Sequence, residues 1–475
     1  MKANKLVVEL FSLAILSGCL ISCSKTTKEA NTQSMQNMKI NKTNSNAKSN
    51  IFSDDDYDAM VDENNSTVLN LSDISNIKGK NISVSGNVVT ISSGGTYILT
   101  GKLDEGQIVV NAKSDDKVRL VFKGVEISSS KGNLILVENA KKTIITLASD
   151  SNNKLELKGN FSKDDNKDSV IFSKSDLSFN GTGILNLLSP YGRGIVSQDK
   201  VVFVDGKYTM DTAGNTISAK NSVAIADGKY DIKAGEKGTG LKVRGNEKKG
   251  TVFIANGKLD ISAGKDGINS NSNVTINNGK INIKSEENGI ESENIDIRGG
   301  NTRVVSKDDG IITSSEKNTE MDSLFIRIVG GKVSIHSKNN GLNSKGDISI
   351  SGGETFVESS NNDDKSAINY GGSAKITGGT FIATGNGSTT KTFGDSSTQG
   401  SILMSFSKKT KENLKVLDEN GKTLAEYKPK SEYKSVIVST KDIKEYKKYK
   451  LVAGEQTLDL LLDKINYKSA ELVEK

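Results

Sequence analysis

The chain has no tryptophan, one histidine, two prolines and two cysteines among 475 residues. With no tryptophan and only 5% aromatic residues, a coplanar aromatic strip of the kind that lies against flat crystalline sugar is disfavoured. A histidine-dependent catalytic triad has one candidate, His336, and no nucleophile elbow surrounds any serine. In Val333-Ser334-Ile335-His336 this histidine takes the polar, outward register of a strand. No disulfide is expected, since Cys19 and Cys23 both lie near the N-terminus.

The sequence also has no long segment in which charges of one sign are concentrated. The 64 basic and 58 acidic residues are distributed throughout the chain and give a net charge of +6. A nucleic-acid groove would require a basic face with interleaved aromatics, so we interpret these charges as a solvated surface and expect no nucleic-acid partner. The 46 glycines, set against two prolines, indicate many tight turns between short strands.

What is present is a repeat of about 22 residues, lengthened by local insertions. Its turn glycines are Gly206, Gly228, Gly257, Gly279, Gly300, Gly331, Gly353 and Gly379. The flanking segments alternate apolar and polar residues, as in Leu259-Asp260-Ile261, so each strand has one face to bury. Stacking such units about 4.8 Å apart buries one continuous core, which predicts a parallel β-solenoid. Ile261, Ile283 and Ile335 should point inward.

Two tyrosines share this register. Tyr208 and Tyr230 are one repeat apart and align with the apolar positions Leu259 and Ile281. A pair of tyrosines at this spacing could form a sugar platform. Their alignment with core positions favours stacked core aromatics instead.

The N-terminus predicts export and lipid anchoring. An apolar run from Leu6 follows Lys2 and Lys5 and is too short for a membrane span, so residues 1–22 are interpreted as a signal peptide. Two lipobox-like tetrapeptides end at Cys19 and Cys23. Cys23 is preferred, because cleavage there exposes a polar segment, while Cys19 has the better preceding glycine. The alternative is an ordinary secretory signal peptide in which neither cysteine is lipidated. Residues 23–50 are polar and predict a flexible tether, placing the protein outside the cytoplasm at the cell surface.

A family resemblance begins beyond the tether. The segments 52–57, 88–101 and 106–111, followed by 121–127 and 169–177, resemble the entry region of the bacterial extracellular carbohydrate-binding β-helix family first described from a clostridium. The resemblance covers about residues 51–455. It implies an all-β, right-handed parallel β-helix related in shape to pectate lyases, which binds cellulose and acidic plant polysaccharide, carries calcium and has no established catalytic activity.

Family rungs commonly end in Asp-Asp-Gly-Ile, and this chain keeps only part of that pattern. Close versions are Lys265-Asp266-Gly267-Ile268 and Asp308-Asp309-Gly310-Ile311, whereas Glu287-Asn288-Gly289-Ile290 has diverged. Stacked turns could together supply the oxygens that calcium requires. The candidate calcium ligands are Asp266, Glu287, Asp308, Asp309, Asp363 and Asp364, with Glu286, Glu291, Asp164, Asp165 and Asp168 as neighbours. The candidate carbohydrate-binding residues are Asp266, Asn288, Asp308 and Asp309.

These acidic turns have an alternative interpretation. Asp or Asn before Gly is also what a tight turn requires, without any ligand. The acidic segment 54–63 is likewise open between a metal cluster and a solvated stretch. A polysaccharide lyase would need calcium beside an arginine base, for which the chain offers Arg193, Arg298, Arg303 and Arg327.

The pattern changes near residue 400. Hairpin signals such as Asn420-Gly421 replace the repeat, so residues 51–399 are predicted as the β-helix and residues 400–475 as a small β-rich cap. A short helix is expected near Leu458 to Asp463. The predicted function is non-catalytic binding of a cellulose-like or acidic, pectate-like polysaccharide by a monomeric surface lipoprotein, with calcium. The alternatives are a structural or adhesive β-helix that contacts a protein or matrix, and a polysaccharide lyase.

Overall fold

The computed structural model describes residues 51–161, 166–245, 250–315, 323–359, 365–386 and 391–468. One short helix, α1 (Asp54–Tyr57), and the 3-10 turns Glu63–Asn65 and Leu71–Asn76 precede or flank the first strand. The strands of the first half are β1 (Thr67–Asn70), β2 (Ile82–Ser85), β3 (Val88–Ile91), β4 (Gly95–Asp104), β5 (Gln107–Asn111), β6 (Lys117–Ser129), β7 (Ile135–Asn139), β8 (Lys142–Leu147), β9 (Asn152–Leu157), β10 (Ser169–Ser173), β11 (Asp176–Gly181), β12 (Ile184–Ser189), β13 (Arg193–Ser197), β14 (Lys200–Phe203), β15 (Lys207–Thr212), β16 (Ile217–Ala219), β17 (Ser222–Ile225), β18 (Lys229–Ala234), β19 (Leu241–Val243), β20 (Thr251–Ile254) and β21 (Lys258–Ala263). Those of the second half are β22 (Ile268–Ile276), β23 (Lys280–Ser285), β24 (Ile290–Ile297), β25 (Asn301–Ser306), β26 (Ile311–Thr313), β27 (Phe325–Ile328), β28 (Lys332–Ser337), β29 (Leu342–Ser344), β30 (Asp347–Ile350), β31 (Glu354–Ser359), β32 (Ile368–Tyr370), β33 (Ala374–Ile376), β34 (Thr380–Gly385), β35 (Ser401–Thr410), β36 (Leu414–Asp418), β37 (Thr423–Tyr427), β38 (Tyr433–Ser439), β39 (Lys448–Ala453), β40 (Gln456–Leu461) and β41 (Asn466–Lys468).

These strands coil into three parallel sheets. Sheet A contains β3, β5, β7, β10, β13, β16, β19, the first half of β22, the first half of β24, β26, β29 and β32. Sheet B follows it in each rung and includes β8, β11, β14, β17, β20, the second halves of β22 and β24, β27, β30 and β33. Sheet C comes third and includes β9, β12, β15, β18, β21, β23, β25, β28, β31 and β34. Equivalent strands of neighbouring rungs pair in parallel, as the sequence predicts for a parallel β-helix.

The core follows the predicted alternation. Ile261, Ile283 and Ile335 are buried, and Ile261 pairs in register with Ile283. Tyr208 and Tyr230 are also buried, with ring centroids 5.0 Å apart and planes inclined by 6°. The prediction that these tyrosines stack inside the core is therefore confirmed.

Two kinds of glycine shape the corners between sheets. The repeat glycines lie at the corner between sheets B and C, where Gly279 has φ of +107°, a conformation that other residues adopt at a cost. At the corner between sheets C and A, Gly310 lacks a positive φ. A Cβ there would lie 2.2 Å from Cγ2 of Ile335, so only glycine permits this close packing.

The acidic segment 54–63 is neither a metal cluster nor a free solvated stretch. It lies as a strap on sheet B through ion pairs of Asp55 with Lys117, Asp56 with Lys142, Asp58 with Arg119 and Glu63 with Lys123. Asp56 is buried and also accepts a hydrogen bond from Ser178. Burial opposes ionisation of Asp56, but the hydrogen bonds from Lys142 and Ser178 outweigh it, and the pKa of this carboxyl stays below its ordinary value.

The parallel coil ends at β34, which pairs antiparallel with β38. β38 also pairs with β35, and β36, β37, β39 and β40 form a separate antiparallel sheet over a second apolar cluster. The helix expected near Leu458 is wrong. Residues 458–461 belong to β40, which alternates apolar and polar side chains and pairs with β39 in an antiparallel ladder. A domain boundary at residue 400 stays a prediction.

A buried carboxylate joins these terminal strands to the coil. Glu358 in β31 accepts hydrogen bonds from the Tyr427 hydroxyl at 2.6 Å and from the Lys430 and Ser431 amides. Nδ1 of His336 lies 3.3 Å from the same carboxylate. Burial opposes ionisation of Glu358, yet these donors outweigh it and lower its pKa. His336 faces outward, as predicted, and contributes to this junction.

Several predictions concern residues outside the described ranges. These are the signal peptide 1–22 with Cys19, Cys23 and the tether to residue 50, together with Asp164, Asp165, Asp363 and Asp364. Among the described residues, no helix has the length and apolar character needed to cross a membrane.

Candidate functional site

The acidic turns lie at the corner where sheet C leads into sheet A. There, one Asp or Asn side chain per rung accepts a backbone N–H of the next rung. The N–H of Asn288 donates to Oδ1 of Asp266 at 3.1 Å, that of Asp309 to Oδ1 of Asn288 at 3.2 Å, and that of Asn340 to Oδ1 of Asp309 at 2.7 Å. This ladder explains the repeated Asp or Asn before glycine as a structural requirement of the corner.

The ladder uses most of the carboxylate oxygens that the sequence offered to calcium or sugar. Asp266 and Asp309 are each only 5% exposed. Oδ2 of Asp309 accepts from Asn343 at 2.6 Å, and Asp308 accepts from Asn339. Glu287 is exposed but lies 3.3 Å from Nζ of Lys265. Within the described ranges, no three Asp, Glu, His or Cys side chains converge as metal ligands.

One carboxylate pair in this region lacks a cationic partner at ion-pair distance among the described residues. Asp266 and Glu291 both accept from Nδ2 of Asn269, at 2.9 and 3.2 Å. Burial, followed by repulsion from Glu291, raises the pKa of Asp266 from 3.8 to about 6. Glu291 also accepts from Asn288 and Ser314, so a bridging cation would have to replace some of these donors. A bound ligand would have to supply further oxygens, since calcium takes six to eight.

A groove runs beside this corner on the outer face of sheet A. Its floor is formed by outward side chains that the strand register stacks, with Val196 paired to Ser218 and Ser218 paired to Lys242. The walls are the corner entering sheet A and the corner leaving it. The groove encloses about 830 Å³ and is lined by Tyr191, Arg193, Gln198, Asn215, Lys220, Glu236, Lys237, Lys242, Arg244 and Lys265, among others. This volume suits several sugar residues.

The groove is strongly cationic. It gathers six Lys or Arg side chains and one carboxylate, Glu236. Arg193 is held by Asp168, with Nε 2.9 Å from Oδ2, and Lys265 pairs with Glu287. Of the other four, Lys220, Lys237, Lys242 and Arg244, none has a carboxylate at ion-pair distance in the described part of the chain. Their charges are available to a ligand.

Lys242 is the most constrained of these cations. It occupies the floor of the groove and is half-buried, between inward-facing Leu241 and Val243. Burial, followed by repulsion from Arg244, lowers its pKa below the ordinary lysine value. An anionic group placed in the groove would raise this pKa again, because its attraction for the amine stabilises the charged form.

An aromatic side chain lies at one end of the groove. Tyr191 is 59% exposed and sits in the wall with Arg193. An exposed tyrosine ring offers an apolar face and a hydroxyl, which together suit the face of a sugar ring. No sequence pattern distinguishes this tyrosine from the others.

The groove was not predicted from the sequence, although one sequence pattern points to its floor. In each rung the residue after Gly-Ile or Gly-Leu faces outward on sheet A, which applies to Lys242, Asn269, Glu291 and Asn343. Reading that single column would have placed Lys242 at the surface of a stacked sheet. The wall residues come from different rungs and corners, so only the register brings them together.

The arginines considered for a lyase lie elsewhere or are held in place. Arg298 and Arg327 both pair with Asp296, with Nε of Arg298 2.7 Å from Oδ2. Asp296 lies in the second half of β24, on sheet B, away from the groove. Arg303 is exposed on sheet C. Of the four arginines considered for a lyase, Arg193 is the one that lines the groove.

Comparison with known proteins identifies the family of this chain. A family model described as "Carbohydrate-binding domain-containing protein" matches residues 85–292 and 276–408. The chain belongs to this family. A relative of the same description from Acetivibrio thermocellus is 29% identical over 133 residues, which are 27% of this chain and 46% of the relative. The chain thus spans less than half the length of that relative.

A solved structure is also similar. It is the polysaccharide lyase-like protein from C. thermocellum, determined as a gadolinium derivative, which is 28% identical. The match covers 49% of this chain and 96% of that one, with a TM-score of 0.46.

Proposed function

We propose that this protein is a non-catalytic, cell-surface carbohydrate-binding lipoprotein that holds acidic polysaccharide in the groove on sheet A. The observation that carries the proposal is the set of four groove cations, Lys220, Lys237, Lys242 and Arg244, without carboxylate partners among the described residues. Membership of the carbohydrate-binding family supplies the ligand class. The charge of the groove supplies the preference for a pectate-like over a cellulose-like chain.

The chemistry of contact follows from the groove. A uronate residue carries one carboxylate, which can accept hydrogen bonds from a lysine amine or a bidentate pair from Arg244. The chain of sugars presents such carboxylates in succession, so individually weak contacts add along the groove. A neutral polysaccharide would leave Lys242 and Arg244 desolvated without compensation, which opposes its binding.

Calcium has an accessory role in this proposal. Asp266 and Glu291 supply two carboxylates beside the groove, and a sugar carboxylate with hydroxyls and water would complete the coordination of a bridging ion. Chelation should then weaken binding without abolishing it, because the cationic half of the groove needs no metal.

Anchoring is the second part of the proposal. The apolar N-terminal run and the tetrapeptides ending at Cys19 and Cys23 support processing as a lipoprotein, with Cys23 preferred. Replacing both cysteines by serine should release the protein from the membrane or block its maturation. A double variant that stays membrane-associated and is processed normally would refute lipid anchoring.

One observation favours a second function, polysaccharide β-elimination. Lys242 has a lowered pKa in a groove next to two carboxylates, an arrangement that a lyase could use as a base. The proposal predicts no unsaturated product when the protein is incubated with polygalacturonate and calcium. Formation of such a product, and its loss in Lys242→Gln, would replace binding by catalysis.

The binding proposal is tested by removing the groove charges. Lys242→Gln with Arg244→Gln should weaken binding to polygalacturonate roughly thirtyfold, since two charge contacts at about 1 kcal/mol each are lost. The matched control, Lys415→Gln with Lys447→Gln, removes the same net charge from the C-terminal part of the chain and should leave affinity unchanged. Equal affinity of groove variant and wild type would refute the site. Absence of any polysaccharide binding by the wild type would favour the adhesive alternative.

A further inference from the structure

A second row of cations lies at the corner between sheets B and C. Each of four consecutive rungs begins its sheet C strand with lysine. The register pairs Lys207 with Lys229, Lys229 with Lys258, and Lys258 with Lys280. All four side chains are exposed. They form a column, here called the lysine ladder, with a spacing of about 4.8 Å between rungs.

The ladder borders a groove of its own. This groove encloses about 880 Å³ and follows the turns that precede the four lysines. Asp205, which is half-buried, and Asp227, which is exposed, lie along it, and each accepts a hydrogen bond from the glycine N–H of its own turn, at 2.7 and 2.8 Å. Their carboxylates are thus engaged by the turns they stabilise.

The lysines themselves are weakly compensated. Nζ of Lys258 lies 2.9 Å from Asp260. In the described ranges no carboxylate lies at ion-pair distance from Lys207, Lys229 or Lys280. Two unit charges at the rung spacing repel by at most about 1 kcal/mol in water. A linear anion along the column would relieve that repulsion at each step.

The ladder has defined ends. The same register position is occupied by Ile184 in the rung before Lys207 and by Asn301 in the rung after Lys280. The row therefore spans four rungs, and its length suits a short stretch of a linear chain that carries one negative charge per sugar.

The ladder also faces away from the groove on sheet A. Each rung runs through sheets A, B and C in that order, so the corner between B and C lies opposite sheet A in a three-sided coil. One stiff polysaccharide chain lying along either site cannot reach the other. Occupation of both sites requires two chains.

We infer that the lysine ladder is a second binding site for acidic polysaccharide, and that the protein bridges two such chains. The ladder site stands on the register, the groove and the three lysines that lack an ion pair within the described ranges. The bridging function rests in addition on the proposed function of the sheet A groove. Its occupant is a linear polyuronate, because the regular rung spacing matches charges repeated regularly along a polymer.

A sandwich assay with the full-length protein tests this inference. Polygalacturonate is immobilised, the protein is bound to it, and capture of soluble fluorescent polygalacturonate is measured. The ladder variant carries Lys207→Gln, Lys229→Gln and Lys280→Gln. A control variant carries Lys102→Gln, Lys154→Gln and Lys415→Gln, which removes the same charge from residues in ion pairs elsewhere. Light scattering confirms that each protein has the same mass in solution.

Wild type and control should capture the soluble chain, whereas the ladder variant should still bind the immobilised polymer and lose at least four-fifths of the capture. Undiminished capture by the ladder variant would overturn the second site. The groove variant Lys242→Gln with Arg244→Gln distinguishes the two proposals. If it captures the soluble chain as wild type does, the proposed groove fails while the ladder stands. If light scattering shows that the wild-type protein captures the soluble polymer only as a dimer, bridging of two polysaccharides by a single protein chain is refuted.

Discussion

Replacement of Asp266 by asparagine should make the protein more stable at neutral pH. The side chain is 5% exposed, and its carboxylate faces Glu291 across the shared Asn269 amide. Asparagine keeps the acceptor that the Asn288 N–H requires. The chain itself uses asparagine for the same task at Asn215 and Asn340, which accept the Thr239 and Ser366 amides at 3.0 Å.

The size of this gain in the free energy of unfolding follows from the pKa of Asp266, which burial and Glu291 raise from 3.8 to about 6. A raised carboxyl pKa means that the folded chain holds the proton more tightly than the unfolded one. The stabilising contribution of the protonated group is complete below pH 4 and is lost as the pH rises through 6. The full difference corresponds to about 3 kcal/mol.

Chemical unfolding of the variant and of wild type in EDTA, at several pH values between 4 and 8, measures this difference in the free energy of unfolding. The free energy of unfolding of Asp266→Asn should equal that of wild type near pH 4 and exceed it by up to about 3 kcal/mol at pH 8. The reverse change, Asn288→Asp, should lower stability at pH 8, because it adds a carboxylate beside Glu291. A difference that does not vary with pH, or that grows toward low pH, would refute the reasoning.

Further predictions concern the core, the junction with the terminal strands and the strap. Ile283→Ala should lower the free energy of unfolding by about 2–5 kcal/mol, whereas Asn282→Ala on the outer face should cost less than about 1 kcal/mol. Equal costs in denaturant titrations would mean that the strand register is shifted by one. Glu358→Ala should cost about 3 kcal/mol, since it leaves several buried donors unpaired. Unchanged stability would remove the junction's proposed role. Asp56→Ala should speed proteolysis within residues 51–65 while leaving the coil intact, and identical cleavage rates would contradict the strap.

The repeat was predictable from the sequence because its determinants are local. Glycine at a fixed position marks the corner between sheets B and C, and Gly279 indeed takes a positive φ there. The apolar alternation around Ile283 identifies the buried face without any knowledge of its neighbours. The stacked tyrosines follow from the same register.

The helix expected near Leu458 shows where local patterns fail. The segment has no turn residue that would end a helix early, and its apolar residues suit either structure. Pairing with Lys448–Ala453 decides in favour of a strand, because that neighbour offers an antiparallel partner and an apolar cluster to cover. This is a tertiary influence that no short window contains.

The candidate sites depend on contacts between distant residues. Asp55 meets Lys117 and Glu63 meets Lys123 some sixty positions along the chain, so the strap has no local signature. The acidic corner residues were correctly placed in one line, but their oxygens serve the backbone of the next rung. Charge counted along the sequence looks evenly distributed. Only folding collects Lys220, Lys237 and Lys242 in one groove.

Footprinting of lysine amines by acetylation and mass spectrometry tests the central claim most directly. The modification rate of every lysine is compared with and without saturating oligogalacturonate. Binding in the sheet A groove predicts strong protection of Lys220, Lys237 and Lys242, while Lys415 in β36 and Lys447 just before β39 react at unchanged rates. Unchanged modification of the three groove lysines at saturation would contradict the account.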